Sequence, residues 1–158
     1  MKKFFMLFVL CCFVMTASAQ FEKGTKYIGA SLSNLGMSYS KKTEFRFGLQ
    51  ADAGYYFADR WMLHADAGYA HQKSLDEVFI GADVRYNITQ NGLYLSAGAQ
   101  YSHLDKNVND LLIPVELGYT FFLNNKIAIE PAVYYKMSTN DFGDGSTVGL
   151  RIGLGYYF

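Results

Sequence analysis

Cysteine and proline are nearly missing from this 158-residue chain, and long apolar runs are missing altogether. The two cysteines, Cys11 and Cys12, sit side by side near the amino terminus, and none follows. Beyond that point there is no material for a disulfide framework or a thiolate metal centre. The two prolines, Pro114 and Pro131, leave almost the whole chain free to donate backbone hydrogen bonds in a sheet. No segment after the amino-terminal leader approaches the roughly 18 consecutive apolar residues of a membrane-spanning helix. Charge of one sign is also absent: 14 Lys and Arg face 14 Asp and Glu. Without a basic stripe there is no electrostatic footprint for nucleic acid.

The amino terminus has a composition of its own. Lys2 and Lys3 precede an apolar run from Phe4 to Met15, followed by Ala17, Ser18 and Ala19. A positive start, a short greasy stretch and a small-x-small ending are the marks of a secretory signal peptide. Cleavage is expected after Ala19, leaving Gln20 first, and both cysteines leave with the leader. A lipoprotein anchor on Cys11 is disfavoured because Leu10 stands where a small residue is wanted. The domain division is therefore 1–19, signal peptide, and 20–158, one domain. Loss of Lys2 and Lys3 leaves 12 basic against 14 acidic side chains.

What the remainder has in quantity is glycine and aromatics, arranged with a period of two. In residues 147–158, Val148, Leu150, Ile152, Leu154, Tyr156 and Phe158 take one parity, while Thr147, Gly149, Arg151, Gly153, Gly155 and Tyr157 take the other. That period is the period of a β-strand. It recurs over 43–57, 61–71, 77–88, 93–103, 111–123 and 127–137. The run over 26–39 is less regular: Ile28, Ala30 and Leu32 alternate with Gly29, Ser31 and Ser33, then Leu35, Met37 and Tyr39 continue on the opposite parity. A bulge near 33–35 absorbs that slip, and a strand break is the alternative. Eight strands of about 11 residues result, the length of a tilted strand crossing a bilayer. Turns are expected at 58–60, 89–92 and 124–126 on one side. On the other they are expected at 40–42, 72–76, 104–110 and 138–146, the last two being the longest.

The charges tell which face is which. Glu44, Arg46 and Asp52 share one parity; so do Asp83 with Arg85, and Glu130 with Lys136. The opposite face of each run carries no charge and holds the aromatics. A water-soluble sandwich would show the inverse. The uncharged face is thus the lipid face. Tyr55, Phe57, Trp61, Tyr86, Tyr119, Phe121, Tyr156 and Phe158 fall near one rim, and Phe45, Phe47, Tyr69, Tyr101 and Tyr135 near the other. Two aromatic girdles around an aliphatic belt suit the headgroup zones of a membrane. Ala51-Asp-Ala-Gly-Tyr55 repeats as Ala65-Asp-Ala-Gly-Tyr69, which suggests construction by hairpins. Inward glycines are expected to make room for large neighbours such as Tyr56, Tyr94 or Tyr134.

Arg151, Gly153, Tyr156 and Phe158 form a polar-x-Gly-x-x-aromatic-x-aromatic ending. That ending resembles the assembly signal of bacterial outer-membrane β-barrels. The whole expected domain is similar to the small-barrel superfamily of the OmpA membrane domain and OmpX, and to the short barrel proteins of Bacteroidota. The resemblance implies an all-β, eight-stranded antiparallel up-and-down transmembrane β-barrel in the outer membrane of a Gram-negative cell. It also implies outer-membrane lipid and the barrel assembly machinery as partners. An extracellular or periplasmic partner is left unspecified.

The expected lumen network comprises Glu44, Asp52, Asp66, Asp83, Glu116 and Glu130 with Arg46, Arg85, Lys136 and Arg151. Eight strands enclose only enough space for side chains, so these groups are expected to neutralise one another. Catalysis needs a nucleophile, a base and an orienting group within reach. His64 faces the lumen beside Asp66, and His71 and His103 sit at the external rim. Lipid A-modifying barrels use a His and a Ser reachable from the bilayer, but Ser102 and His103 are adjacent on a strand and point to opposite faces. No metal-ligand spacing joins His71, His103 and the loop carboxylates. Asp141-Phe142-Gly143 and the carboxylates through Gly145 lack the context of a kinase or a calcium loop. No cofactor is expected. The leading function is a non-enzymatic barrel with a filled, charge-paired lumen and a structural or surface-interaction role. A narrow channel or carrier for small or hydrophobic solutes is the alternative, and a lipid A-modifying enzyme the third. Amino-terminal sequencing of the protein from outer-membrane fractions is expected to begin at Gln20; an unprocessed Met1 would remove the signal-peptide reading.

Overall fold

The structure, a computed structural model, describes residues 21–33, 47–72, 75–88, 91–104, 108–139 and 146–158. Its strands are β1 Lys26–Ser33, β2 Phe47–Ala58, β3 Trp61–Gln72, β4 Leu75–Asn87, β5 Leu93–Leu104, β6 Val108–Tyr119, β7 Ile127–Ser138 and β8 Thr147–Tyr157. β6 pauses at Thr120 and resumes as the two-residue piece Phe121–Phe122, still paired with β7. Each strand pairs antiparallel with its sequence neighbours, and β1 pairs with both β2 and β8. The sheet therefore closes into an eight-stranded barrel. Among the described residues no helix is long and apolar enough to cross a membrane; crossing is left to the strands.

Closure is complete at the carboxyl-terminal seam. Tyr27 through Ser33 register against Tyr157 through Arg151. The seam is extended by Lys26 N donating to Phe158 O at 2.7 Å and Phe158 N donating to Lys26 O at 2.9 Å. The proposed slip at 33–35 and the residues Glu44, Phe45 and Arg46 lie outside the described residues. Elsewhere Pro114, which has no N–H, interrupts the β5–β6 ladder. Pairs run from Leu93↔Tyr119 to Ala97↔Val115 and resume at Gln100↔Leu112 in the same register.

The alternation sorts the side chains by face. Leu49, Leu63, Ile80, Leu117, Leu150 and Leu154 are all exposed on the outside, each at half or more of its surface. Tyr27, Tyr56, Tyr94, Arg85 and Glu130 are buried inside. The core of this molecule is thus polar and aromatic, and its exterior aliphatic, as membrane barrels require. The outward girdle near the turn side is built of neighbouring rings in tilted contact: Trp61 with Tyr86 at 4.6 Å, Tyr119 with Phe121 at 4.3 Å and Tyr156 with Phe158 at 5.8 Å between ring centroids. Inside, Tyr94 lies against the bare Cα of Gly118 and Tyr134 against that of Gly149. A β-carbon at either glycine would displace the ring. Tyr56 does not follow this pattern; it packs against Phe21 at the mouth.

The short turns at 58–60 and 124–126 fall where composition put them. Asp59 and Arg60 link Ala58 to Trp61, with Arg60 in the left-handed region at φ 68°. Asn124 Oδ1 accepts from the backbone N–H of Lys126 and Ile127 at 2.8 and 2.9 Å. The external connections are shorter than the polar composition of 72–76 and 104–110 suggested. β3 runs to Gln72, β4 starts at Leu75, β5 reaches Leu104 and β6 starts at Val108. Polar side chains at these ends pair across the strands instead of breaking them. Tyr69 donates to Asp76 at 2.6 Å, Ser102 to Glu77 at 2.5 Å, and His103 Nδ1 meets Asn109 Oδ1 at 2.6 Å.

This sorting sets a mutational contrast. Leu150→Arg or Ala82→Arg, outward and near mid-height, is expected to destabilise the barrel in vesicles by about 2–4 kcal/mol. Thr120→Ser, which keeps its inward hydroxyl and loses one methyl, is expected to cost under about 1 kcal/mol. Urea titration of the refolded protein measures both, and equal losses would mean the faces are inverted.

Candidate functional site

The period of two brings charges from six strands into one lumen. At its lower level Glu130 of β7 is completely buried. Arg85 Nη1 of β4 reaches its Oε2 at 3.0 Å, and the Tyr27 hydroxyl of β1 donates to the same oxygen at 3.0 Å. Tyr157 of β8 donates to Oε1, and Thr120 Oγ1 approaches it at 3.4 Å. One carboxylate thus gathers donors from around the cylinder. The Arg85 guanidinium also lies over the rings of Tyr94 and Tyr27, at 4.1 and 5.4 Å from their centroids. Those π faces offset part of the cost of its Nε and Nη2, which have no hydrogen-bond partner.

Above this level Arg151 Nη2 of β8 reaches Glu116 Oε1 of β6 at 2.5 Å, and its Nη1 lies 3.6 Å from Asp52 of β2. Tyr94 joins them, accepting from Arg151 at 3.1 Å and donating to Glu116 at 2.8 Å. His64 of β3 is buried between two acids, with Nδ1 2.9 Å from Asp83 and Nε2 3.7 Å from Asp52. Asp66 takes a long bond of 3.4 Å from Gln100. Lys136 of β7 lies over Phe79 at 5.0 Å and Tyr134 at 5.1 Å. A cavity of about 40 Å³ remains at this level, with His64, Asp66, Asp83, Glu116, Lys136 and Arg151 in its wall.

Below Glu130 the mouth is filled by an apolar and aromatic layer. Phe21, Tyr56, Met62, Ala128 and Tyr157 form one buried cluster, with Phe122 packed against it. Phe21 enters from the chain preceding β1. Its carbonyl accepts from Arg60 N at 2.7 Å, and its ring lies 5.6 Å from Phe122 and 6.0 Å from Tyr56. Tyr56 in turn donates to Asn87 at 2.9 Å.

Of the residues named from the sequence, Asp52, Asp66, Asp83, Arg85, Glu116, Glu130, Lys136 and Arg151 lie on the inner face, while Glu44 and Arg46 fall outside the described residues. His64 takes Asp83, across the strand pair, as its hydrogen-bond partner. Ser102 is buried and bonded to Glu77, while His103 is exposed, so the two face opposite ways. In the terminal motif Arg151 and Gly153 face inward, and Tyr156 and Phe158 face outward. Sequence reasoning did not single out Phe21, Tyr27 or Tyr157. The available signal was parity: Tyr27 and Tyr157 share theirs with the small and polar residues of their strands.

The model of the outer membrane protein beta-barrel domain family matches residues 4–158. Among curated proteins no sequence match is found. Solved structures similar in fold include the following three. The amino-terminal barrel domain of Pseudomonas aeruginosa OprF superposes with a TM-score of 0.69 at 14% identity, covering 86% of this chain and 98% of that one. Neisserial surface protein A gives 0.68 at 16% identity, covering 86% and 100%. Ail of Yersinia pestis, in a phospholipid nanodisc, gives 0.57 at 13% identity, again covering 86% and 100%. With closed topology, inverted faces and the family match in agreement, this chain belongs to the outer membrane protein beta-barrel domain family and resides in the bacterial outer membrane.

Proposed function

We propose that this protein is a non-catalytic barrel with a plugged lumen, serving a structural or surface-interaction role in the outer membrane. The observation that carries the reading is Glu130. Its donors come from β1, β4, β8 and Thr120, so their side chains occupy the cross-section at that height. The aromatic layer around Phe21 and Tyr157 adds a second stopper beneath it. Tyr56 and Tyr94, which a continuous solute path would need to line, are fully buried. The nearest approach in the sequence to the His and Ser of a lipid A-modifying barrel, Ser102 with His103, is split between the two faces.

Among the described residues, the strand ends on the outward side carry exposed polar pairs formed by Tyr69, His71, Asp76, His103 and Asn109. Neisserial surface protein A and the Yersinia attachment invasion locus protein share the fold. A surface role for this chain rests on its own plugged interior and polar rim.

Two measurements test the reading. In planar bilayers the purified barrel is expected to show no steady conductance; a stable open level would refute the plug. Arg85→Met is expected to cost about 3–5 kcal/mol by leaving Glu130 buried without its cation, and Arg85→Met with Glu130→Leu is expected to recover most of that loss. Urea unfolding in vesicles measures both variants, and a double variant as weak as the single would count against a mutually neutralised pair.

A further inference from the structure

Three neighbouring strands place an unusual group of side chains on the inner wall. Asp52 of β2 stands directly across from Asp66 of β3, and His64 of β3 directly across from Asp83 of β4. His64 and Asp66 are two residues apart on one strand, so both project inward. Donor atoms of His64, Asp66 and Asp83 all lie within 4.8 Å of one another. Asp52 is 3.7 Å from His64 Nε2. Like charges directly opposite each other in a sheet are destabilising.

The fixed cations do not balance this corner. Arg85 is engaged by Glu130. Among the described residues, Asp52, Asp66, Asp83 and Glu116 then face Arg151 and Lys136, an excess of two negative charges when His64 is neutral. Polar atoms are also left over. His64 Nε2, Asp52 Oδ2 and Asp83 Oδ1 have no hydrogen-bond partner, although the His64 side chain is 2% exposed and that of Asp52 0%. Buried atoms without partners are costly and rare in native structures. Asp83 Oδ2 holds the other ring nitrogen, Nδ1, at 2.9 Å. The adjoining cavity of about 40 Å³ exceeds the roughly 10–15 Å³ that one water requires.

We propose that His64, Asp66 and Asp83, with Asp52 alongside, bind one divalent cation inside the barrel. One imidazole with carboxylates and no thiolate is a donor set for zinc or a neighbouring first-row ion. The ion cancels the two excess charges, satisfies the leftover atoms, and ties β2, β3 and β4 together from within.

The test uses untagged barrel refolded in detergent with zinc chloride, desalted, and assayed for metal by mass spectrometry. One zinc per barrel is expected. Asp66→Asn is expected to weaken retention at least about tenfold, while His71→Ala with His103→Ala leaves it unchanged. If Asp66→Asn fails to fold, as judged by heat-dependent gel mobility, the unaltered protein decides the matter by histidine NMR. Zinc is expected to shift the ring signals of His64 and not those of His71 or His103. No zinc in the unaltered barrel would overturn the proposal; so would zinc lost with the two rim histidines, or ring shifts confined to them.

Discussion

Hydrocarbon offers no partner to a backbone N–H or C=O, and this requirement governs everything else in the molecule. A sheet in lipid must leave no edge, so the first strand has to find the last. β1 does so through Tyr27–Ser33 against Arg151–Tyr157, with Lys26 and Phe158 extending the seam. Once the cylinder closes, the two faces of each strand meet opposite solvents. The outside must be apolar, and the charges have nowhere to go but in.

Eight strands make that interior narrow. Charges sent inward are therefore pressed against one another and against bulky rings, with little water between them. The lower level resolves this by convergence: Glu130 is surrounded by Arg85, Tyr27, Tyr157 and Thr120. The upper level is less even. Arg151 is shared between Glu116 and Asp52, and His64 stands between acids. The aromatic layer at the mouth separates both levels from the turn side, with Phe21 contributed by the segment ahead of the first strand.

Much of the fold was legible because a strand that is half in lipid writes its geometry directly into parity. Leu150 and Arg151 differ in environment for no reason except that one residue separates odd from even. Parity already put Tyr157 on the side of Arg151 and could have put Tyr27 inside as well, but a tyrosine near a rim reads equally well as part of a girdle. The external ends were misjudged for a related reason. Gln72, Asp76 and Asn109 lie in segments that read as turns by composition, whereas the ladder runs on through His71↔Asp76 and His103↔Asn109, whose side chains also pair. The His64, Asp66 and Asp83 group could not be seen as a spacing, since its members come from two strands and meet only through register. Within the sequence only His64 and Asp66, alternate residues on one strand, hint at it.

The two girdles carry one more consequence. On β3 they are marked by Trp61 and Tyr69, eight residues apart. That is about 26 Å along a strand rising roughly 3.3 Å per residue. With the tilt of about 35–45° usual for such barrels, the greasy band is about 20 Å tall. A closed, hydrogen-bonded sheet cannot stretch to meet a taller membrane, so any hydrophobic mismatch must be absorbed by lipid. The protein is matched to a thin bilayer such as the bacterial outer membrane. In a thicker one, a collar of compressed lipid would surround it, and barrels sharing a collar would be drawn together without touching through any specific surface.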